Sequence, residues 1–323
     1  MRFRSIFATM VMVLAALTAP PTRALAQQGG TPAPEQEPGL KHPLGPADLI
    51  MPHITDARTM EVPCFNRDWS CEVRLPSWPV HIGSTTIDLG PTKHVVFMML
   101  AALLCFLFLY SAARAHVRAT GEDGHPRGFA AGLESVILYL RDEIFLPALG
   151  HHGDGYLPFV LTLFFFVLFM NLMGLIPYGS TPTGNINVTG TLAICAFIAT
   201  ETAGMIALGP SGYLKTVVYW PSDMSLGVKL PLTLVMTPVE IIGKFTKPFA
   251  LTIRLFANMI AGHVIVLAMI GLVFTFGSWL IAPAPIGMAI GIMLLEVLVA
   301  FIQAFIFALL SAVFIGQIRA AHH

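Results

Sequence analysis

Five stretches of nearly unbroken apolar residues run through the chain, separated by short polar interruptions. A helix rises about 1.5 Å per residue and the hydrocarbon core of a bilayer is about 30 Å thick, so one crossing takes about 20 apolar residues. Residues 95–113, 157–176 and 188–208 have that length. Pro177 stops the second of them, and the uncharged turn 178–187 leads into the third. The last two stretches, 238–273 and 285–318, are too long for upright crossings. The first would extend roughly 54 Å as a helix. Excess length is absorbed by tilt or kinking, so the pattern predicts a strongly tilted helical hairpin turning at 275–285. Residues 133–146 differ from all five: Glu134, Arg141, Asp142 and Glu143 interleave with Val, Ile, Leu and Phe. That is the pattern of an amphipathic helix lying along the membrane interface. The expected fold is an all-α membrane protein with about five transmembrane crossings, one interfacial helix and a long tilted C-terminal hairpin.

The first 94 residues follow another logic. Arg2 and Arg4, the apolar centre 6–17 and Ala24-Leu25-Ala26 predict a signal peptide over residues 1–26, cleaved after Ala26. An uncleaved anchor helix is the alternative, but the apolar centre is short for a span. Residues 27–94, rich at first in Pro, Gly and Gln, then form an exported segment that is small or loosely folded, and residues 95–323 form the membrane domain. Arg114, Arg118 and Arg127 after the first span, Lys215 and Lys229 after the third, and Arg319 near the end put those loops in the cytoplasm by the positive-inside rule. The mature N-terminus is then outside and the C-terminus inside, as expected for a multi-pass protein of a bacterial inner membrane.

Composition agrees with this reading. Hydrophobic residues make up 55% of the chain, charged residues 11%, and the mean hydropathy is +0.75, against about 25% charged residues in a typical soluble domain. The formal net charge is zero, which argues against a nucleic-acid partner. Cys105 and Cys195 lie in apolar runs and read as small core residues. Cys64 and Cys71, in the exported segment, form a possible disulfide, with two free thiols the alternative. His151 and His152 invite a metal reading, but adjacent histidines in a Gly-rich turn are more often solvated loop. Asn187-Val188-Thr189 matches a glycosylation acceptor and reads better as a helix cap. The chain contains no nucleotide loop, metal triad or catalytic nucleophile; Gly209-Pro210-Ser211-Gly212 has the form of an intramembrane serine protease motif, yet polar residues follow where a hydrophobic helix should. No cofactor and no catalysis by this chain alone are expected.

The chemistry concentrates in the hairpin. An arginine in hydrocarbon costs at least about 2.5–3.5 kcal/mol, so Arg254, well inside an apolar run, has work to do. Asn258 shares its face, and Glu240, fourteen positions earlier, returns close to it. His263 is about 180° round. On the second long helix Glu296 and Gln303 share a face, and an antiparallel hairpin brings Glu296 to the depth of His263. A carboxylate beside an imidazole inside a membrane can relay protons. The guanidinium stays charged, so it cannot pass a proton on but repels one in transit and favours the ionised form of a nearby carboxylate. Glu201, in the third span, is a further intramembrane carboxylate.

Arg254-Leu255-Phe256-Ala257-Asn258 resembles the Arg-Leu-Phe-x-Asn core of the a subunit of F-type ATP synthases. Gln303-Ala304-Phe305-Ile306-Phe307 resembles that family's last-helix motif, Asn171–Pro177 its second-span motif, and Pro182–Thr189 the opening of its third span. The resemblance covers roughly residues 85–320 and implies a proton-conducting stator subunit, its hairpin against a ring of c subunits, beside the b subunits of the peripheral stalk and in contact with membrane lipid. It further implies that Arg254 holds a ring carboxylate ionised between two offset half-channels, that protons arrive from outside through Glu240, His263 and Glu296, and that Gln303 and Asn258 support the arginine. Residues 1–84 are not a general feature of the family, Ala257 stands where glycine is common, Asn185 stands where aspartate is common, and Glu201 has no place in the pattern; it extends the access path or pairs with a neighbouring helix. The rival reading, a proton-coupled secondary transporter, predicts an internal repeat, and none is evident in the chain.

Overall fold

The computed structural model describes residues 55–63, 70–82, 85–88, 90–119, 129–150, 153–176, 179–218, 225–278 and 280–320. The expected signal peptide, most of the segment after it, His151, His152, Cys64 and the side chain of Cys71 lie outside the described residues, and with them the disulfide and its alternative.

The segment before the membrane contains two antiparallel hairpins. β1 (Thr59–Pro63) pairs with β2 (Ser70–Arg74), Thr59 opposite Arg74, and β3 (Pro79–Ile82) pairs with β4 (Thr85–Asp88), Pro79 opposite Asp88. Lys93 N donates to Ala57 O at 3.0 Å, which ties this segment to the start of the first span.

Among the described residues the elements after it are all helices, as the apolar pattern predicts, and five of them are long and apolar enough to span a membrane. α1 (Lys93–Ala119) packs on α4 (Leu157–Gly174), with Phe108 against Phe165 and Phe169, and turns Met99, Leu103 and Phe106 outward. α4 is apolar on every side and is buried on nearly every side, as such a helix must be. Between them lie α2 (Phe129–Tyr139), a π-helical turn (Leu140–Phe145) and α3 (Leu146–Leu149). Leu133, Leu140, Phe145 and Leu149 face the bundle, while Arg141, Asp142 and Glu143 face away, the amphipathic split read from the sequence.

α5 (Ile186–Val217) is two helices in one: Gly209 takes φ 70°, and Pro210 starts a second, short piece. The straight portion therefore ends at Leu208, where the sequence pattern ended the span. Its N-cap is Asn185, whose side chain accepts from Asn187 N at 3.0 Å; the capping role expected of Asn187 belongs to Asn185, whose extended backbone aims its amide oxygen into the first turn.

α6 (Leu226–Phe276) runs 51 residues through Pro231, Pro238 and Pro248, about 76 Å at helical rise. It starts twelve residues before the expected boundary at Pro238, because a proline inside a membrane helix is tolerated where neighbours and local adjustment satisfy the freed backbone groups. Gly277, left-handed at φ 56°, ends it. α7 (Pro283–Ala320) returns antiparallel and packs on α4, α5 and α6. Ala300, Ala304, Ala308 and Ala312 are fully buried at four-residue intervals. Small residues at that spacing let membrane helices approach closely, and packing rather than hydrophobicity drives their association.

Candidate functional site

At the β-hairpin end of the bundle, three elements meet around one imidazole. His263 on α6 places Nδ1 at 2.7 Å from Glu296 Oε1 on α7, an ion-pair contact rather than an aligned hydrogen bond. Its Nε2 meets the hydroxyl of Thr181, in the turn between α4 and α5. Glu296 is 5% exposed and His263 23%, so the pair lies inside the bundle with one side of the ring reaching outward. Two glycines make the space. A Cβ on Gly262 would lie 2.7 Å from Glu296 Oε1, and one on Gly174 would lie 2.8 Å from His263 Nε2. With both ring nitrogens engaged and Ser211 at the far end of α5, no serine–histidine pair forms, and the protease reading falls.

The turn that carries Thr181 is fixed from beneath. Asn171, fully buried on α4, accepts from Thr183 Oγ1 at 2.8 Å and donates to Ala300 O at 3.3 Å. One amide thus bonds both a buried hydroxyl and a mid-helix carbonyl, and couples α4, the turn and α7. Four residues on from Thr181, Asn185 Nδ2 donates to Asp56 Oδ2 at 3.3 Å, and Asp56 Oδ1 lies 2.8 Å from His94 Nδ1. Burial raises the Asp56 carboxyl, but the close contact and charge of His94, with the nearby Thr92 hydroxyl, outweigh it and hold the group below the ordinary carboxylate range. Thr181, Asp56 and His94 are absent from the sequence-derived set. A polar turn between two spans was the only available signal for Thr181, and nothing marked Asp56 within its segment.

The opposite end has a separate polar cluster. Lys244 Nζ lies 3.2 Å from Glu201 Oε2 and 3.2 Å from the hydroxyl of Tyr213, which itself donates to Glu201, and the ammonium sits 4.4 Å from the centre of the Tyr213 ring. The break at Gly209 is what folds Tyr213 back onto Glu201. Glu201 thus pairs with a neighbouring helix, the second of its two expected roles. The cluster lines a cavity of about 560 Å³ that also holds Lys215, Glu240, Lys247 and Gln317. Glu240 therefore does not join His263 and Glu296 as expected. It lies on the other side of Arg254 along α6, because facing direction repeats every turn while position along the axis does not.

Arg254 stands between the two clusters, about 13 Å along the helix from His263 and about 15 Å from Lys244. Leu251, Leu255 and Met259 form the buried face of α6 there, which turns Arg254 outward, and no hydrogen bond or ion pair joins it among the described residues. Asn258, on the same side, is half-buried, and Gln303, facing in from α7, is buried. No group of three His, Cys, Asp or Glu side chains suited to a metal ion occurs among the described residues.

A permanent cation displayed on a long helical hairpin, between two clusters of ionisable side chains in a bundle with five candidate spans among the described residues, is the architecture of a multi-pass membrane protein suited to moving protons. Comparison with known proteins is more specific. The family described as ATP synthase A chain matches residues 95–316. Similar proteins include ATP synthase subunit a 2 of Chlorobaculum tepidum, 44% identical over 272 residues (84% of this chain, 72% of that protein). ATP synthase subunit a of Myxococcus xanthus is 45% identical over 241 residues (73% and 76%), and that of Chloroherpeton thalassium 43% over 245 residues (76% and 70%). The chain belongs to the ATP synthase A chain family, the non-catalytic, proton-translocating membrane subunits of F-type ATP synthases.

Proposed function

We propose that this chain is the stator half of a rotary proton channel, with the α6–α7 hairpin lying against a ring of c subunits and the b subunits of the peripheral stalk bound elsewhere on the bundle. The observation that carries this reading is Arg254: an exposed, uncompensated guanidinium on α6, with titratable clusters on both sides of it. A guanidinium about 4 Å from a carboxylate contributes roughly 4 kcal/mol at an effective dielectric of about 20. That favours the ionised carboxylate by roughly a thousandfold, enough to strip a proton from each ring carboxylate as it passes. Protons reach the ring from outside through Thr181, His263 and Glu296, and leave to the cytoplasm through the cavity of Glu201, Tyr213, Glu240 and Lys244. Asn258 lines the contact beside the arginine, and Gln303, buried on α7, supports the hairpin from within. The two clusters lie too far apart for direct transfer, so a proton crosses only by riding the ring. The β-hairpins then face the periplasm and the C-terminus the cytoplasm.

The test is ATP-driven acidification of inverted membrane vesicles carrying Arg254→Ala, with co-purification of the c-ring as the assembly control. Loss of pumping from an assembled complex is expected. Pumping at the parent rate would overturn the stator reading.

A further inference from the structure

The proposed path from outside begins at Thr181 and His263, yet the polar chain continues past them. Asp56 comes from the segment that precedes the membrane domain, and its carboxylate is received by side chains of two spans: His94 at the start of α1, 2.8 Å away, and the Asn185 amide at the cap of α5, 3.3 Å away. Asn185 begins its helix four residues after Thr181, through the turn whose backbone bonds run from Gly184 N to Thr181 O and from Asn185 N to Pro182 O. Asp56, Asn185, Thr181, His263 and Glu296 therefore form one succession of polar groups from the rim of the bundle to its interior. Exposure is highest at the rim: Asp56 is 29% exposed, His263 23%, Glu296 5% and Thr181 4%, so Asp56 is the member most open to water.

The members differ in what they can do. Asn185 and Thr181 cannot hold an extra proton, whereas Asp56, His94, His263 and Glu296 can. Among the described residues, the other charged groups near Asp56 are its chain neighbour Arg58 and Lys93, whose backbone nitrogen donates to Ala57. A buried imidazole, 2% exposed, turned toward a carboxylate at the rim is more than a packing contact needs. Apolar residues of the same size would join the segment to α1 without the cost of desolvating two ionisable groups.

Resting on the stator reading, we propose that Asp56 is the proton-collecting carboxylate at the mouth of the outer half-channel, supplied to the membrane domain by the segment in front of it. Asp56 takes a proton from hydronium in the outer medium, becomes neutral, and gives the proton up on the Asn185 side toward His263. It is then again an anion able to collect the next. The carboxylate also concentrates protons at the mouth. Charges of one sign at a cleft raise local counter-ion concentration and association rates by about 10-fold at the low end.

The experiment uses the complete complex in inverted vesicles, with ATP synthesis driven at a fixed proton-motive force, the outer pH and a potassium diffusion potential being adjusted as lumenal pH is varied from about 5 to 8, the range in which imidazoles change charge. Asp56→Asn, which keeps the size of the side chain, is expected to lower the rate about tenfold at the alkaline end and little at the acid end, where hydronium is abundant. Asp56→Glu should retain most of the rate. In the Asp56→Asn background, Asn185→Asp returns a carboxylate to within one side chain of the same place and should restore the pH profile. A parent-like profile for Asp56→Asn would overturn the proposal. So would a loss equal at every pH and unrelieved by Asn185→Asp, since that is the signature of a segment that merely docks. Arg254→Ala is run alongside: if it still synthesises ATP the stator reading itself has failed, whereas an inactive Arg254→Ala beside a parent-like Asp56→Asn removes only Asp56.

Discussion

Gly262→Ala is the substitution whose consequence follows most directly from the geometry. The added methyl would sit 2.7 Å from Glu296 Oε1, 2.9 Å from its Cδ and 3.2 Å from its Cγ. Non-bonded heavy atoms settle at about 3.5–4.0 Å, so the carboxyl group must retreat by roughly 0.8 Å. It has little room, because Glu296 is buried against α6 on a helix packed through fully buried alanines. The retreat stretches the His263–Glu296 contact from 2.7 Å to about 3.5 Å. With both groups charged and an effective dielectric of about 20, the attraction falls from about 6 to about 4.7 kcal/mol. The difference, about 1.4 kcal/mol, is a factor of about ten in the strength of the contact. ATP-driven acidification by vesicles carrying Gly262→Ala should therefore slow by about tenfold at unchanged assembly. Glu296→Asp in the same background, one methylene shorter, should recover part of the rate, although alone it would slow transport by lengthening the contact. Parent-level pumping by Gly262→Ala, or a double variant slower than either single one, would refute the account of Gly262 as the space in which the pair forms.

Two further outcomes concern stability. Lys244→Ala leaves the Glu201 carboxylate, 13% exposed, with Tyr213 alone, and losing one partner of a buried ion pair typically costs about 3–5 kcal/mol. Thermal unfolding of the purified complex should move to clearly lower temperature and return most of the way in the double variant with Glu201→Gln; unchanged melting of Lys244→Ala would show that solvent already screens the pair. Asp56 has a folded carboxyl held below its ordinary range, so its contacts contribute stability above about pH 4 that disappears as pH falls through the folded value. Protease cleavage near residues 55–63 in the purified complex should stay slow near neutrality and accelerate in acid, while His94→Ala should show fast cleavage already at neutral pH; pH-independent cleavage of the parent would disprove the coupling.

The sequence by itself determined the class of the protein, the five spans, the amphipathic helix between the first two and the overlong hairpin, and it singled out Arg254, His263, Glu296 and Gln303 as candidates. Those features are one-dimensional. A bilayer imposes a length on every apolar run, and a charge inside such a run is costly wherever the helix sits, so both can be read without knowing what lies beside them. The Arg254–Asn258 stretch and the last-helix motif carried the family as well. Tertiary structure alone decided which polar groups meet. Helical periodicity put Glu240 on the face of Arg254 but said nothing of its distance along the axis, and the fold assigns it to the cavity of Glu201 and Lys244 at the other end. Glu201 had no visible partner until Gly209 broke α5 and returned Tyr213 to it. Thr181, Asn171, Gly174 and Gly262 acquire their roles from contacts between segments tens of residues apart, and Asp56 reaches Asn185 from 129 positions away. Contacts of that range are set by how helices pack, by which small residues let backbones close and which turns bring a side chain across, and no local pattern encodes them.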